Sequence, residues 1–393
     1  MVSRLDRLIK ELCPNGVEYS RLKECTEMKR GTSATKSTLV EGNIPVISGG
    51  KEPAFYCDSS NRDGETITVA GSGAGAGYVQ YWNKPIFVND AFSIKGNEKL
   101  YTRYVYHYLL SIQGEIYGTK KGGGVPHVHI SSIENFKIPL PPLAVQCEIV
   151  RILDNFTELT AELTAELTAE LTARKKQYEY YRNKLLTFGD EVEWKTLGDI
   201  GTIIRGNGLQ KSDFSENGIR CIHYGQIYTY YGMIAKDTKS FVAPEVAKKL
   251  KKVSTGDIII AITSENVEDV CKCAVWLGKE DIVTGGHTAI FKHNQNAKYI
   301  AYYLQTEAFF EQKRRIAHGT KVIEVSPKKL EKIKIPVPPL SEQERIVSIL
   351  DKFDALVNDI SIGLPAEIQA RQKQYEYYRD KLLSFKEAAN EQL

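Results

Sequence analysis

The sequence predicts an α/β (α+β) protein: two α/β inserts in a pseudo-twofold arrangement, joined by two long helices packed as a coiled coil. Three observations carry this. Long blocks of the chain are written twice at a constant offset of 197 residues. Each copy of the shared block is a helix-forming stretch behind a Pro-Pro pair. Between the shared blocks lie inserts whose short apolar runs are broken by Gly, Asn and Asp, the pattern of short strands and turns.

The duplication is read directly. KIPLPPLAVQCEIVRILDNF (Lys137–Phe156) returns as KIPVPPLSEQERIVSILDKF (Lys334–Phe353), and QYEYYRNKLLTF (Gln177–Phe188) as QYEYYRDKLLSF (Gln374–Phe385). A weaker echo joins VEYSRLKE (Val17–Glu24) to VEWKTLGD (Val192–Asp199). The expected divisions are a conserved N-terminal segment (1–22), a first insert (23–136), a central conserved helix (137–188, with tetrapeptide repeats at 157–173), a second insert (189–333) and a conserved C-terminal helix (334–393).

Within the inserts, ETITVA, YVQYW, KPIFVND, IRCIHYGQIYTYYG and GDIIIAIT read as strands. Each insert closes on a helical stretch, near Arg103–Ile112 and Lys298–Ile316. In the shared blocks, Ile149, Ile152, Leu153 and Phe156 follow helical spacing.

The run TELTAELTAELTAELTA (Thr157–Ala173) sits inside the first shared block. Four residues turn an α-helix by about 400°, so Leu159, Leu163, Leu167 and Leu171 drift by roughly 40° per step. Without Gly or Pro, Leu143–Phe188 reads as one helix of 46 residues. A helix that long with a leucine stripe needs a partner, and Leu340–Phe385 matches it in length. That second stretch carries Gly363-Leu-Pro365, where a kink or break is expected. Beside the plainer reading of a surface helix with accidental simplicity, the tetrapeptide reads as a spacer: one more unit adds about 6 Å and about 40°.

Composition narrows the class. At 393 residues, 42% hydrophobic and 26% charged, the chain is neither disordered nor fibrous. Its longest apolar runs are too short to span a bilayer. The N-terminus lacks the apolar stretch of a secretion signal, and seven cysteines without a CxxC pair suggest a reducing compartment, so a cytoplasmic protein is expected. The repeat holds four Glu and no base, so the net charge of +3 becomes +7 without it. Gly201–Leu330 carries 19 Lys/Arg against 13 Asp/Glu, compatible with a polyanionic partner.

The doubled KIPLPPL/KIPVPPL-x-x-Q-x-x-IV-x-ILD-x-F blocks, the doubled QYEYYR-x-KLL-x-F blocks and the TAEL run resemble the specificity (S, HsdS) subunit of Type I restriction-modification enzymes, in the branch with TAEL-type central repeats. The resemblance covers essentially the whole chain. It implies two target recognition domains, each reading one half of a bipartite, asymmetric double-stranded DNA site. It implies two modification (methyltransferase) subunits bound to the conserved helices, restriction (translocase/nuclease) subunits joined to that core, and adenine as the methylated base. It also implies that repeat number sets the nonspecific spacer, about one base pair per repeat. S-adenosylmethionine, ATP and Mg would then belong to partner subunits, with no cofactor and no metal on this chain.

Several chemistries find no support in the residues. GxxxxGK[ST] is absent, and the residues before Pro141-Pro142 and Pro338-Pro339 are Leu140 and Val337 rather than acidic or amide. Gly71-Ser-Gly-Ala-Gly-Ala-Gly77 satisfies GxGxxA, but strand-like sequence with Pro85 follows where a dinucleotide loop needs a helix. His127-Val-His129 and Cys271-Lys-Cys273 each lack a second ligand pair for zinc.

The candidate DNA-binding residues are polar, basic and aromatic. In the first insert they are Lys51, Tyr56, Ser72, Gly75, Tyr78, Asn89, Lys120 and Lys121. In the second, Arg205 and Asn207 precede a glycine-turn group of His223, Tyr224, Gln226 and Tyr228. Lys313-Arg314-Arg315, with His318 and Lys321, reads as a phosphate clamp. Lys120-Lys-Gly-Gly-Gly124 falls where Ala317-His-Gly319 falls in the second copy, so both inserts end in a basic-plus-glycine loop. Two other readings stand beside this one: a stand-alone methyltransferase-like enzyme using the Gly71–Gly77 loop, and a coiled-coil scaffold that does not bind DNA.

Overall fold

The computed structural model describes residues 3–358 and 363–388. It divides into two compact units, one from Met1–Leu167 with Ile368–Leu393, the other from Thr168–Glu367.

The first unit is built on an antiparallel four-stranded sheet, in the order Thr26–Arg30, Ala91–Gly96, Glu65–Ala70, Val79–Asn83. A three-stranded sheet (Phe55–Cys57, Ile44–Ile47, Phe87–Val88) extends the insert. Helix Thr102–Ser111 packs on the larger sheet and buries Tyr104, Val105 and Leu109 completely. The second unit has a five-stranded sheet in the order Gly201–Arg205, Thr288–His293, Ile258–Ala261, Cys273–Trp276, Ile234–Ala235. A second five-stranded sheet holds Ile219–Ile222 between Ser240–Val242 and Ile282–Thr284.

The duplicated residues do the same work in each unit. Lys137–Pro139 pairs antiparallel with Tyr19–Arg21, and Lys334–Pro336 pairs with Trp194–Thr196. This explains the weak echo, which supplies each Lys-Ile-Pro strand with its partner. The glutamine of the PPLxxQ motif is fully buried in both copies. Gln146 accepts from the Tyr101 N–H (2.8 Å) and donates to the carbonyls of Lys99 and Pro141. Gln343 accepts from the Asn296 N–H (3.0 Å) and donates to the Pro338 carbonyl and Gln295 Oε1. Each glutamine thus pins the start of an insert helix to the conserved helix. Asp154 clamps Arg103 and His107, and Asp351 clamps Lys298 and Tyr302, in the same way.

The central helix runs over Leu143–Leu185, 43 residues, three short of the expected end at Phe188. Within the first unit it runs antiparallel to Leu364–Leu383: Phe156 stacks on Tyr378 at 6.0 Å, and Thr157 bonds Tyr375. Within the second unit it meets Leu340–Asn358, where Phe353 stacks on Tyr181 at 5.6 Å. These are one contact repeated at the 197-residue offset. The expected break in the second long stretch is present: Gly363 is non-helical and Pro365 lies in the first turn of Leu364–Leu383, while 359–362 fall outside the described residues. The leucine stripe drifts as its geometry requires, with Leu159 60% exposed and Leu167 9%.

Two secondary-structure expectations are corrected. IRCIHYGQIYTYYG is a strand only over Ile219–Ile222; Tyr224–Thr229 is helical despite its β-favouring composition. His223 caps that helix, its Nδ1 accepting from the Gly225 N–H while Gln226 Oε1 accepts from the His223 N–H, and Ile227 is buried. Lys298–Ile316 is two helices, Ala297–Tyr303 and Glu307–Ile316, the second capped by Thr306.

Candidate nucleic-acid interface

The two inserts align poorly as sequence, yet their hydrogen bonds superimpose them. Arg30 lies opposite Phe92 and Arg205 opposite Ala289 at the same step of the two large sheets. The next residue is glycine in both copies. The Gly31 N–H donates to the Ala91 carbonyl and the Gly206 N–H to that of Thr288. A side chain could not stand at either position, since a Cβ would lie 2.0 Å from the Asn89 or Gly285 carbonyl oxygen. Beyond the next strand, the Gly71 N–H bonds Asp90 O and the Ile262 N–H bonds His287 O. Gly71 and Ile262 then accept from the N–H groups of Val128 and Val325.

A short hairpin closes each corner. Lys121 bridges His127, which also bridges Ser72; His318 bridges Glu324, which pairs with Thr263. The offset between equivalent residues is 175 at Arg30 and Arg205, 191 at Ser72 and Thr263, and 197 at the hairpin. Shifting offsets hide the match from a linear alignment. The Gly71–Gly77 run is therefore a turn of this corner, leading directly into strand Val79–Asn83. Its last glycine, at φ +82, has Cys271 at φ +69 as its counterpart, each N–H bonding the carbonyl of the preceding strand's last residue, Ala70 or Ala261.

The side chains around the two corners differ. In the first unit, Ser72 bonds Asp90, and Arg30, Asp90, His127 and His129 line a cleft of about 520 Å³. In the second, Thr263 Oγ1 lies 3.0 Å from His287 Nδ1, Arg205 pairs with Glu324 at 2.8 Å, and Tyr224 packs between His223 and His287. Burial lowers the His223 pKa, aided by the nearby Lys211 and His287. Among the described residues no group of three or more His, Cys, Asp or Glu could hold a metal.

The expected residues divide as follows. Ser72, Gly75, Tyr78 and Lys121 gather at the first corner, with Lys51 over the Tyr78 ring at 5.3 Å and the Gly49 loop packed against Gly75. Lys120 lies over Tyr117 at 4.3 Å. Asn89 lines the same cleft, its amide spent on Ala34 and Ser48. Tyr56 stands 51% exposed on the smaller sheet. In the second unit Arg205 and His318 meet at Glu324, Tyr224 packs on His287, and Gln226 is spent on His223 and Ser240. Tyr228 donates to the Thr263 carbonyl, and Asn207 to that of Lys249.

Lys313 is placed differently from the clamp expectation. It is 5% exposed, its ammonium donates to the Glu268 and Val270 carbonyls at 2.9 and 2.8 Å, and burial lowers its pKa. Arg314, Arg315 and Lys321 remain at the surface, Arg314 paired with Glu311. The sequence reading missed Arg30, Asp90, His127 as a corner residue, and His287. The shared Arg-Gly dipeptides at 30–31 and 205–206 were the available signal.

Comparison with known proteins places this architecture. The profile described as "Type I restriction modification DNA specificity domain" matches residues 14–173 and 189–370. The specificity subunit of Type I restriction enzyme EcoR124I/EcoR124II from Escherichia coli is 38% identical over 301 residues, covering 74% of this chain and 72% of that one. A putative specificity subunit, S.HindORF215P of Haemophilus influenzae, is 33% identical over 386 residues, covering 94% and 96%. Among solved structures, a chain from a study of complex assembly and conformational transition of the type I R-M system shares the fold, with a TM-score of 0.66 at 19% identity over 94% of this chain and 98% of that one. The HsdS subunit from Thermoanaerobacter tengcongensis gives 0.51 at 18% identity, covering 95% and 97%. The chain belongs to the DNA specificity subunits of Type I restriction-modification systems, which supply sequence recognition rather than catalysis.

Proposed function

We propose that each unit reads one half of a bipartite, asymmetric duplex site and so directs adenine methylation by modification subunits and cleavage by restriction subunits. The observation that carries this is the pair of equivalent corners: one backbone frame, an arginine and glycine in common, and different polar groups around them. Arg30 and Arg205 suit a phosphate or guanine contact. Ser72, Tyr78, Lys51, Lys120 and Lys121 belong to the first reader; Tyr224, His318, Arg314, Arg315 and Lys321 to the second.

Partner number has its own support. Exposed apolar residues on the conserved helices recur at the 197-residue offset: Leu143 with Leu340, Leu159 with Leu356, Tyr180 with Tyr377, and Tyr181 with Tyr378. A surface written twice fits two copies of one partner, the modification subunit. S-adenosylmethionine, ATP and Mg belong to the partner subunits, modification and restriction together, in the cytoplasm where the DNA lies. The TAEL run sets the spacer between the half-sites.

Arg30→Ala and Arg205→Ala, each assembled with the modification subunits, test this reading. Each variant should weaken binding to the cognate site by about 1–3 kcal/mol and lose its footprint over one half-site only, a different half for each. Equal losses on cognate and scrambled duplexes, with no half-site preference, would sink it.

A further inference from the structure

What the two corners keep, set against what they change, separates features common to both half-sites from features that differ. The hairpins keep little: GGGVPH (Gly122–His127) faces GTKVIE (Gly319–Glu324). Glycine is kept at the first position, with φ +108 at Gly122 and +119 at Gly319. A Cβ there would lie 2.6 Å from the Val125 carbonyl oxygen or 1.9 Å from that of Val322, so only glycine lets the chain fold back so closely. The valine itself is also kept, 55% exposed at Val125 and 57% at Val322. Neither valine belongs to a hydrophobic cluster among the described residues. Basic residues flank both: Lys120 and Lys121 in one hairpin, His318 and Lys321 in the other.

We propose that Val125 and Val322 each contact the C5-methyl of the thymine paired with the target adenine, one valine in each half-site. This rests on the reading that each half-site holds one adenine to be methylated. Two half-sites of different sequence are then required to share a single base pair, the A·T pair itself. A side chain retained in two otherwise diverged hairpins fits the feature both sites must contain. The thymine methyl is the apolar group on the major-groove edge, and small apolar side chains read it. Wedging between stacked bases uses longer residues such as Phe, Leu or Met, and three successive glycines at 122–124 give the first hairpin little stiffness for unstacking.

The test uses the chain assembled with its modification subunits and duplexes carrying uracil opposite one target adenine, which removes only the methyl group. The readout is kcat/KM for methyl transfer from labelled S-adenosylmethionine, strand by strand. Uracil in either half-site should cost the wild-type complex about fourfold, the loss corresponding to one buried methyl contact. Val125→Ala should lose the same factor on thymine DNA and become indifferent to uracil in one half-site, staying sensitive in the other. Val322→Ala should show the converse, and Val125→Thr, which keeps a methyl, should behave as wild type. Indifference of the wild-type complex to uracil, or losses from uracil and Val125→Ala that simply multiply, would overturn the proposal. A wild-type complex that methylates no bipartite site would instead overturn the reading beneath it, and the proposal with it.

Discussion

Deleting one tetrapeptide, Ala161–Thr164, shortens the central helix by four residues without touching either corner. Its aromatic anchors are Phe156, stacked on Tyr378, and Tyr181, stacked on Phe353, and they stand 25 positions apart. The deletion brings them four positions closer, by about 6 Å and about 40° of helix phase. One base pair of B-DNA rises about 3.4 Å and turns roughly 34°, so the rotation matches one base pair while the rise exceeds it. The deletion leaves both insert cores and corners intact, so the change should appear in the DNA site. Methylation of a panel of duplexes with fixed half-sites and spacers differing by single base pairs measures it. The deleted chain should prefer the spacer one base pair shorter by on the order of tenfold, about the cost of one mismatched pair. Unchanged spacer preference, or altered half-sites, would refute the spacer reasoning.

Two further predictions concern the frame. Gln146→Leu should leave the Tyr101 N–H and the Lys99 and Pro141 carbonyls without their partner, costing about 2–4 kcal/mol in urea unfolding, and Gln343→Leu a similar amount; losses under about 1 kcal/mol would contradict the pinning role. His107 is held below its ordinary pKa of 6.5, chiefly by burial, with the Asp154 hydrogen bond opposing. A depressed pKa makes its stability contribution complete above the unfolded value and lost as pH falls through the folded one. His107→Tyr, which copies Tyr302 on Asp351, should therefore reduce the loss of thermal stability between about pH 7.5 and about pH 5; an unchanged pH slope would count against it.

The frame was legible because identical residues perform identical contacts. A buried glutamine bonding three backbone and side-chain groups, or a Phe–Tyr stack, tolerates little change, so both persist at one offset and show as a repeat. The long helix was legible from its composition, apart from three residues at its end. The corners were not legible, because backbone hydrogen bonds define them and, outside a few glycines, those tolerate different side chains: Asp90 corresponds to His287 without resemblance. Helix Tyr224–Thr229 was missed because Tyr, Ile and Thr favour strands, and local capping by His223 and Gln226 outweighed that preference. Lys313 looked like a surface cation within a basic run, and its burial depends on two carbonyls 43 and 45 residues away in sequence.

The central claim is that one chain reads two separate half-sites. Single-molecule methylome sequencing of a strain in which this is the sole active specificity chain tests it most directly. The account predicts one asymmetric motif in two parts, divided by a fixed run of unspecified bases, with a methylated adenine in each part on opposite strands. A single uninterrupted motif, or a methylation pattern unchanged when the chain is deleted, would contradict it.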